Sequence, residues 1–244
     1  MAWVAFATFF LSFGSPAFAR EIDDRWAAVW AASPTGTDDV FKPPIFNDQS
    51  VRQIARVAFA GAGATLRVRL TNELGKEAVF VGDAHIALAG ANGSIIPLFN
   101  YSLTFDGETS VTIRPGSPVL SDPVKIAGRG ALPPGGFWRV AVSLYFPQRV
   151  SVETMHPLGL QTAYITNGDT TGDANLSNPE SSQSRYFLSR IEAITKREGI
   201  VALGDSITDG TGSSVDANRR WPDDLANRLF QCSLCPPQQS PRVW

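Results

Sequence analysis

The segment Arg139-Val-Ala-Val-Ser-Leu-Tyr-Phe146 alternates apolar and polar residues, which is the two-residue period of a half-buried β-strand. The alternation places four apolar side chains on one face: Val140, Val142, Leu144 and Phe146. Thr65–Leu70 and Ser110–Arg114 repeat the pattern, and pairs such as Asn92-Gly93 supply turns between strands. Many short strands with such turns predict a β-sandwich of jelly-roll-like character. We assign this domain to residues 20–198.

Two further stretches belong to the same domain. Asn167–Ser184 is rich in loop-forming residues and poor in apolar ones, so it is predicted to be a mobile surface loop. Arg185–Ile194 then predicts a returning strand. Several aromatic residues fit either a sugar-stacking platform or core packing. They are Trp26, Trp30, Trp138, Tyr101 and Tyr145.

The bulk composition is that of a globular protein. The chain has 244 residues, 43% of them hydrophobic, and a net charge of −2, which allows one or two domains. Its basic residues are scattered, so no nucleic-acid partner is expected. Two cysteines are too few to indicate a fold held together by disulfides.

The beginning of the chain has the pattern of a secretory signal peptide. Ala2–Phe13 is apolar, and Ala17-Phe18-Ala19 provides a small-residue cleavage site before Arg20. The basic residue usual before the apolar run is absent. We expect cleavage after Ala19, a secreted or periplasmic protein, and no stable membrane anchor after cleavage.

A second informative run is Val201-Ala-Leu-Gly-Asp-Ser-Ile-Thr-Asp-Gly210. Gly199–Leu203 predicts a strand buried on both faces. Trp221-Pro-Asp-Asp224 predicts the start of a helix, with proline and two carboxylates in its first turn. Strand, polar loop and helix open a doubly wound α/β unit, in which reactive groups lie beyond the carboxyl ends of the strands. Ser206 occupies that position.

Three kinds of chemistry compete for this loop. A nucleophile elbow reads Gly-x-Ser-x-Gly, whereas Thr208 stands at the second glycine position. A phosphate-binding P-loop requires a lysine that the loop lacks. A Mg²⁺ site on Asp205, Asp209 and Asp216 is conceivable because carboxylates bind hard cations, although such residues are more often simply solvated.

The run from Val201 to Leu229 resembles block I of the GDSL, or SGNH, hydrolases. The resemblance implies that Ser206 is the nucleophile and that its backbone N–H stabilises the oxyanion, with Gly204 and Asp205 supporting the motif. It further implies that residues 199–229 begin an α/β, flavodoxin-like domain. The implied activity is hydrolysis of carboxylic esters, such as short acyl esters or acetylated sugars, with no metal and no other cofactor.

The later blocks of that family are missing. Its Gly-x-Asn-Asp and Asp-x-x-His motifs do not occur after Ser206. His85 and His156 come earlier, with unsuitable spacing, and are interpreted as structural or surface residues, so the general base is unknown. The β region also resembles the domain that precedes the catalytic domain in some bacterial members. The matching stretches are Val29–Pro34, Arg67–Gly75, Val119–Val124 and His156–Ile165.

The composition changes after Leu229. Residues 230–244 lose the helical period and contain Cys232 and Cys235, too few ligands for a zinc site. A frameshifted reading frame and a natural short form both explain this tail. We expect the residues from Gly199 onward to be poorly held unless they dock on the β domain, and the chain itself to be inactive as an esterase. The alternatives are a non-catalytic β module that binds carbohydrate or a protein partner, and, more remotely, a metal-dependent phosphoesterase.

Overall fold

A computed structural model describes residues 25–38, 40–59, 64–126, 136–195 and 199–233. The predicted signal peptide, residues 196–198 and the tail from residue 234 onward, which includes Cys235, lie outside the described residues. Within the described ranges the chain is mostly β-sheet, with two helices near its C-terminal end.

Seventeen strands precede the two helices in the described residues. The strands are β1 Arg25–Ala31, β2 Ile45–Phe46, β3 Gln49–Phe59, β4 Thr65–Thr71, β5 Val79–Val81, β6 Asp83–Ala89, β7 Ile95–Ser102, β8 Val111–Ile113, β9 Pro118–Leu120, β10 Val124–Lys125, β11 Gly136–Phe146, β12 Val150–Ser151, β13 Met155–His156, β14 Ala163–Asn167, β15 Glu180–Ser182, β16 Arg185–Tyr186 and β17 Leu188–Thr195. The helices are α1 Ser206–Asp209 and α2 Trp221–Ser233.

Two antiparallel sheets dominate the fold. One has the strand order β15-β14-β3-β11-β6-β7; the other has the order β1-β17-β4-β10, with β9 also paired to β4. One apolar cluster takes residues from both sheets, for example Val142 of the first and Val68 of the second. A shared core between two such sheets is consistent with the predicted β-sandwich.

Strand β11 lies at the centre of the larger sheet, between β3 and β6. The predicted core face is confirmed, since Val140, Val142, Leu144 and Phe146 are at most 1% exposed. Ala141, on the other face, is also buried because it packs with Ile54 in a second apolar cluster. The alternation therefore predicted the strand correctly, but it predicted one buried face, whereas residues on both faces of β11 are buried.

The polar segment 167–184 is largely free of strands, as predicted, but one buried cation binds it to the core. The Arg52 guanidinium donates to the carbonyl oxygens of Gly93, Thr170 and Asp173 at 2.8–2.9 Å. Burial lowers the pKa of Arg52 to about 10, and the charge of Asp173 partly offsets this effect. These bonds satisfy backbone acceptors that no strand ladder reaches.

The predicted returning strand is confirmed as β16 and β17, with β17 pairing between β4 and β1. The aromatic residues do not form one exposed platform. Trp138 is buried in the core, while the rings of Trp26 and Trp30 lie under the guanidinium groups of Arg67 and Arg185.

The predicted buried strand over Gly199–Leu203 is wrong. These residues form no strand, and Val201 and Leu203 are 90% and 95% exposed. A parallel strand needs neighbours on both sides and helices over both faces. No strand in the described ranges pairs with this segment, so its apolar residues have nothing to pack against.

The predicted loss of helical structure after Leu229 is also wrong for residues 230–233. Helix α2 continues to Ser233, and the Phe230 ring packs on Phe137 of β11 with 5.9 Å between ring centroids. This contact gives the last turn an apolar partner, which explains why the helix passes the predicted boundary. Neither helix of the described chain combines the length and apolarity needed to cross a bilayer.

Candidate active site

Ser206 is the first residue of the single helical turn α1. The Asp205 carboxylate accepts a hydrogen bond of 3.0 Å from the N–H of Ile207, which caps the turn. Gly210 ends it with a left-handed φ of 91°, and its N–H donates to the Ser206 carbonyl oxygen. A Cβ at Gly210 would lie 2.2 Å from Cγ of Arg220, so the turn requires glycine there.

The Ser206 side chain is exposed. Within the ranges that the structure describes, no protein group forms a hydrogen bond with its hydroxyl. Gly204 precedes it, and a Cβ there would lie 2.1 Å from Oγ1 of Thr208. The glycine therefore allows the backbone to pass close to Thr208 and present the serine on the surface.

His156 holds this turn from the β domain. Its Nε2 lies 2.9 Å from Oδ1 of Asp209, the last residue of α1. Its Nδ1 lies 2.9 Å from the carbonyl oxygen of Ser33. His156 therefore connects the Ser33 carbonyl group of the β domain to the turn that begins with Ser206.

Asp216 makes a second connection between the segment and the β domain. Its carboxylate accepts from the backbone N–H and the hydroxyl of Thr162, at 2.7 and 2.6 Å, and from the amide of Gln161. The N–H of Asp216 donates to the carbonyl oxygen of Leu160. Several bonds to one carboxylate fix the loop between the two helices.

Arg185 is a buried cation beside these contacts. It lies opposite His156 in the β13–β16 ladder, so two basic residues are direct cross-strand neighbours. Burial lowers the pKa of Arg185 to about 10, repulsion from Arg220 adds to that effect, and Asp216 opposes it. Its Nη1 has no hydrogen-bond partner in the described part of the chain. Asp216 of the docked segment therefore compensates part of the charge of Arg185.

Arg56 of β3 provides a third connection, to helix α2. Its guanidinium lies 3.7 Å from the Asp223 carboxylate, donates to Asn227 at 2.5 Å and stacks on the Phe137 ring. Burial lowers the pKa of Arg56, and Asp223 partly restores it. A groove of about 550 Å³ opens beside this contact, and its lining does not include Ser206. We place the candidate chemistry at the exposed serine because Gly204, Asp205 and Ser206 all lie outside the lining of the groove.

The three aspartates of the alternative metal site each bind a different partner. Asp205 caps α1, Asp209 binds His156, and Asp216 binds Thr162. Among the residues described, no group of three His, Cys, Asp or Glu side chains could hold a metal ion. The other histidine, His85, lies between Asn100 and Asp83 on the larger sheet.

Sequence reasoning identified Ser206, Gly204 and Asp205 but missed the docking contacts of His156, Asp209 and Asp216. His156 was interpreted as an ordinary structural or surface residue, and the structure gives it the structural contact to Asp209. The one signal for this in the sequence is the excess of acidic over basic residues in 199–233. That excess does not indicate which cations the acidic residues meet.

Comparison with protein-family models and with curated protein sequences finds no match to the chain. The motif around Ser206 and its geometry are therefore the features of this chain that indicate a function.

Proposed function

We propose that this chain carries the nucleophile of a GDSL-type serine ester hydrolase, and that the nucleophile is Ser206. The observation that carries the proposal is the exposed Ser206 hydroxyl, which has no protein partner in the described residues. Of the two aspartates that flank its turn, Asp205 caps the turn and Asp209 binds His156. The resemblance of Val201–Leu229 to block I supports the same assignment. The N-terminal pattern supports action outside the cytoplasm.

In the proposed reaction the Ser206 Oγ attacks the acyl carbon of an ester, and the alcohol leaves. In this proposal the Ser206 backbone N–H donates a hydrogen bond to the oxyanion, as the family resemblance implies. Water then hydrolyses the acyl-serine and releases the acid. The substrates we propose are short acyl esters or acetylated sugars, with no metal or organic cofactor.

Among the described residues, no side chain that could act as a general base contacts the Ser206 hydroxyl. Both nitrogens of His156 are taken by Ser33 and Asp209, and His85 is bound to Asn100. A serine hydroxyl without a base is a weak nucleophile. We therefore expect Ser206 to be acylated by an activated ester, with slow turnover.

Site-resolved acylation tests the proposal. The purified 20–244 chain is incubated with p-nitrophenyl acetate and its peptides are mapped by mass spectrometry. We expect acetyl groups on Ser206 in preference to Ser213 and Ser214, which belong to the same loop and serve as internal controls. The Ser206→Ala variant should lose the signal and leave the other two serines unchanged.

Equal acetylation of all three serines would contradict the hydrolase proposal. The second candidate, a non-catalytic β module that binds carbohydrate or a protein partner, would then account better for the chain. It is favoured by the absence of a base near Ser206 among the described residues. Rapid turnover that depends on Ser206 would support the hydrolase and contradict the expectation of slow deacylation.

A further inference from the structure

The groove beside helix α2 brings together basic residues that are far apart in the sequence. Arg56 of β3 and Arg139 of β11 lie directly opposite each other in the antiparallel ladder of the larger sheet. Arg219, from the segment that precedes α2, adds a third guanidinium group to the lining of the groove. Like charges directly opposite on neighbouring strands destabilise a sheet. The sheet therefore carries a repulsion at this groove that a bound anion would offset.

Two of these three arginines have donors to offer a ligand. Arg56 is already bound to Asp223 and Asn227. Arg139 and Arg219 are exposed, and neither makes a hydrogen bond or an ion pair within the part of the chain that the structure describes. A guanidinium group presents its N–H donors in a planar fork that matches the oxygen atoms of a phosphate or a carboxylate. The groove therefore offers two such forks to an oxyanion.

The charge and size of the groove indicate what kind of anion fits. Among the described residues that line it, Asp224 supplies one carboxylate against three guanidinium groups, which leaves an excess of two positive charges. A phosphate monoester carries a charge of about −1.5 to −2 at neutral pH, whereas a carboxylate carries a single charge. The volume of about 550 Å³ lies within the range of small-molecule sites. The carboxamides of Asn218 and Asn227 also line the groove, and such groups can bind hydroxyl groups.

We propose that this groove binds a phosphate monoester of a small polyhydroxylated molecule, such as a sugar phosphate. Arg139 and Arg219 bind the phosphate group, and the carboxamides of Asn218 and Asn227 bind the hydroxyl groups of the organic part. Such a ligand contacts both the β domain and the segment that carries α2, so its binding stabilises the docking of that segment. The site is separate from the proposed hydrolase chemistry, because Ser206 does not line the groove.

Calorimetric titration of the 20–244 chain with glucose 6-phosphate tests the proposal. We expect saturable binding with a Kd below about 1 mM. Three comparison ligands identify the groups that are recognised: glucose lacks the anion, glucuronate carries a single charge, and inorganic phosphate lacks the hydroxyl groups. Each should bind on the order of tenfold more weakly than glucose 6-phosphate, because each loses part of the charge-assisted or neutral hydrogen bonding.

Matched variants assign the binding to the groove. Arg139→Gln and Arg219→Gln should each weaken the binding of glucose 6-phosphate on the order of tenfold, since each removes a charge-assisted contact. Asp224→Asn should strengthen it about threefold, because it removes a carboxylate that repels the phosphate. Arg114→Gln changes an exposed arginine outside the groove lining and should leave the affinity unchanged. The unfolding midpoint of Arg139→Gln should not fall, because Arg139 faces another arginine and makes no hydrogen bond in the described residues.

Three results would overturn the proposal. The first is a Kd for glucose 6-phosphate above that limit, or no measurable binding. The second is an equal loss of affinity in Arg114→Gln and Arg139→Gln, which would show a response to net charge rather than to the groove. The third is glucuronate or inorganic phosphate binding as tightly as glucose 6-phosphate. No carboxylic ester is used in these titrations, so this proposal and the hydrolase function can fail separately.

Discussion

Strand β11 and the segment Gly199–Leu203 are both apolar stretches for which the sequence predicts strands, but only β11 forms a strand and is buried. Within β11, which pairs with β3 and β6, Val142 and Leu144 are fully buried in the apolar core. In the other segment, Val201 and Leu203 are at least 90% exposed and form no strand. Apolar character is common to both, so the presence of hydrogen-bonding and packing partners makes the difference.

The two regions are also held by different forces. The β core is stabilised by apolar burial between its two sheets. The segment 199–233 contacts the β domain mainly through polar and charged groups, with Asp209, Asp216 and Asp223 each bound to a residue of that domain. The Phe230–Phe137 ring contact adds one apolar connection. Charged contacts that are partly open to water are individually weaker than a buried core.

The largest expected effect comes from shortening one leucine in each region. Leu144→Ala removes methyl groups from a fully buried site and should lower the free energy of unfolding by about 2–5 kcal/mol. Leu203→Ala changes a side chain that is 95% exposed and should alter it by less than about 0.5 kcal/mol. Chemical denaturation of both variants beside the wild-type chain provides the measurement.

Comparing Leu144→Ala with Leu203→Ala can show that the contrast between the two regions is false. Should Leu203→Ala cost as much as Leu144→Ala, the segment must be buried in solution. The distinction between the two regions would then be lost.

A smaller effect, confined to the segment, is expected from removing the Asp216 carboxylate. Asp216 has a positive φ of 61°, so Asp216→Gly is used because glycine tolerates that conformation. Loss of the bonds to Thr162 and Gln161 should speed tryptic cleavage at Arg219-Arg220 on the order of tenfold. The unfolding midpoint of the β core should change little.

Asp224→Ala is the matched control for that experiment. It removes the same charge from the same segment, but the Asp224 carboxylate makes no hydrogen bond to a strand in the part of the chain described. Its cleavage rate should stay near that of the wild type. Equal acceleration in both variants would show that net charge, rather than the Asp216 contacts, retains the segment.

Much of the β domain could be predicted from sequence, because two-residue alternation is a local property. β4, β11 and β17 follow directly from it. The hydrogen bonds from Arg52 to the carbonyl groups of Thr170 and Asp173 could not be predicted, because these residues lie more than 100 positions from Arg52 in the sequence. The failed strand at Gly199–Leu203 has the same origin: periodicity reports a preference, and partners elsewhere in the fold decide whether it is realised.

The candidate site divides in a similar way. Ser206, Gly204 and Asp205 were identified because they are adjacent in one motif. The pairing of His156 with Asp209 joins residues 53 apart, and its detection requires the fold. Motif reading therefore singled out Ser206, the proposed nucleophile, but not the contact between His156 and Asp209.

Hydrogen exchange across the whole chain tests the contrast between the two regions most directly. We predict slow exchange for the amides of Val140–Phe146, fast exchange for Ile200–Gly204, and intermediate exchange for Gly210 and Thr211. This pattern would show a segment held at its turn and helix but without a strand of its own. Protection of Ile200–Gly204 equal to that of β11 would contradict the account, because it would mean that these residues have hydrogen-bonding partners in solution.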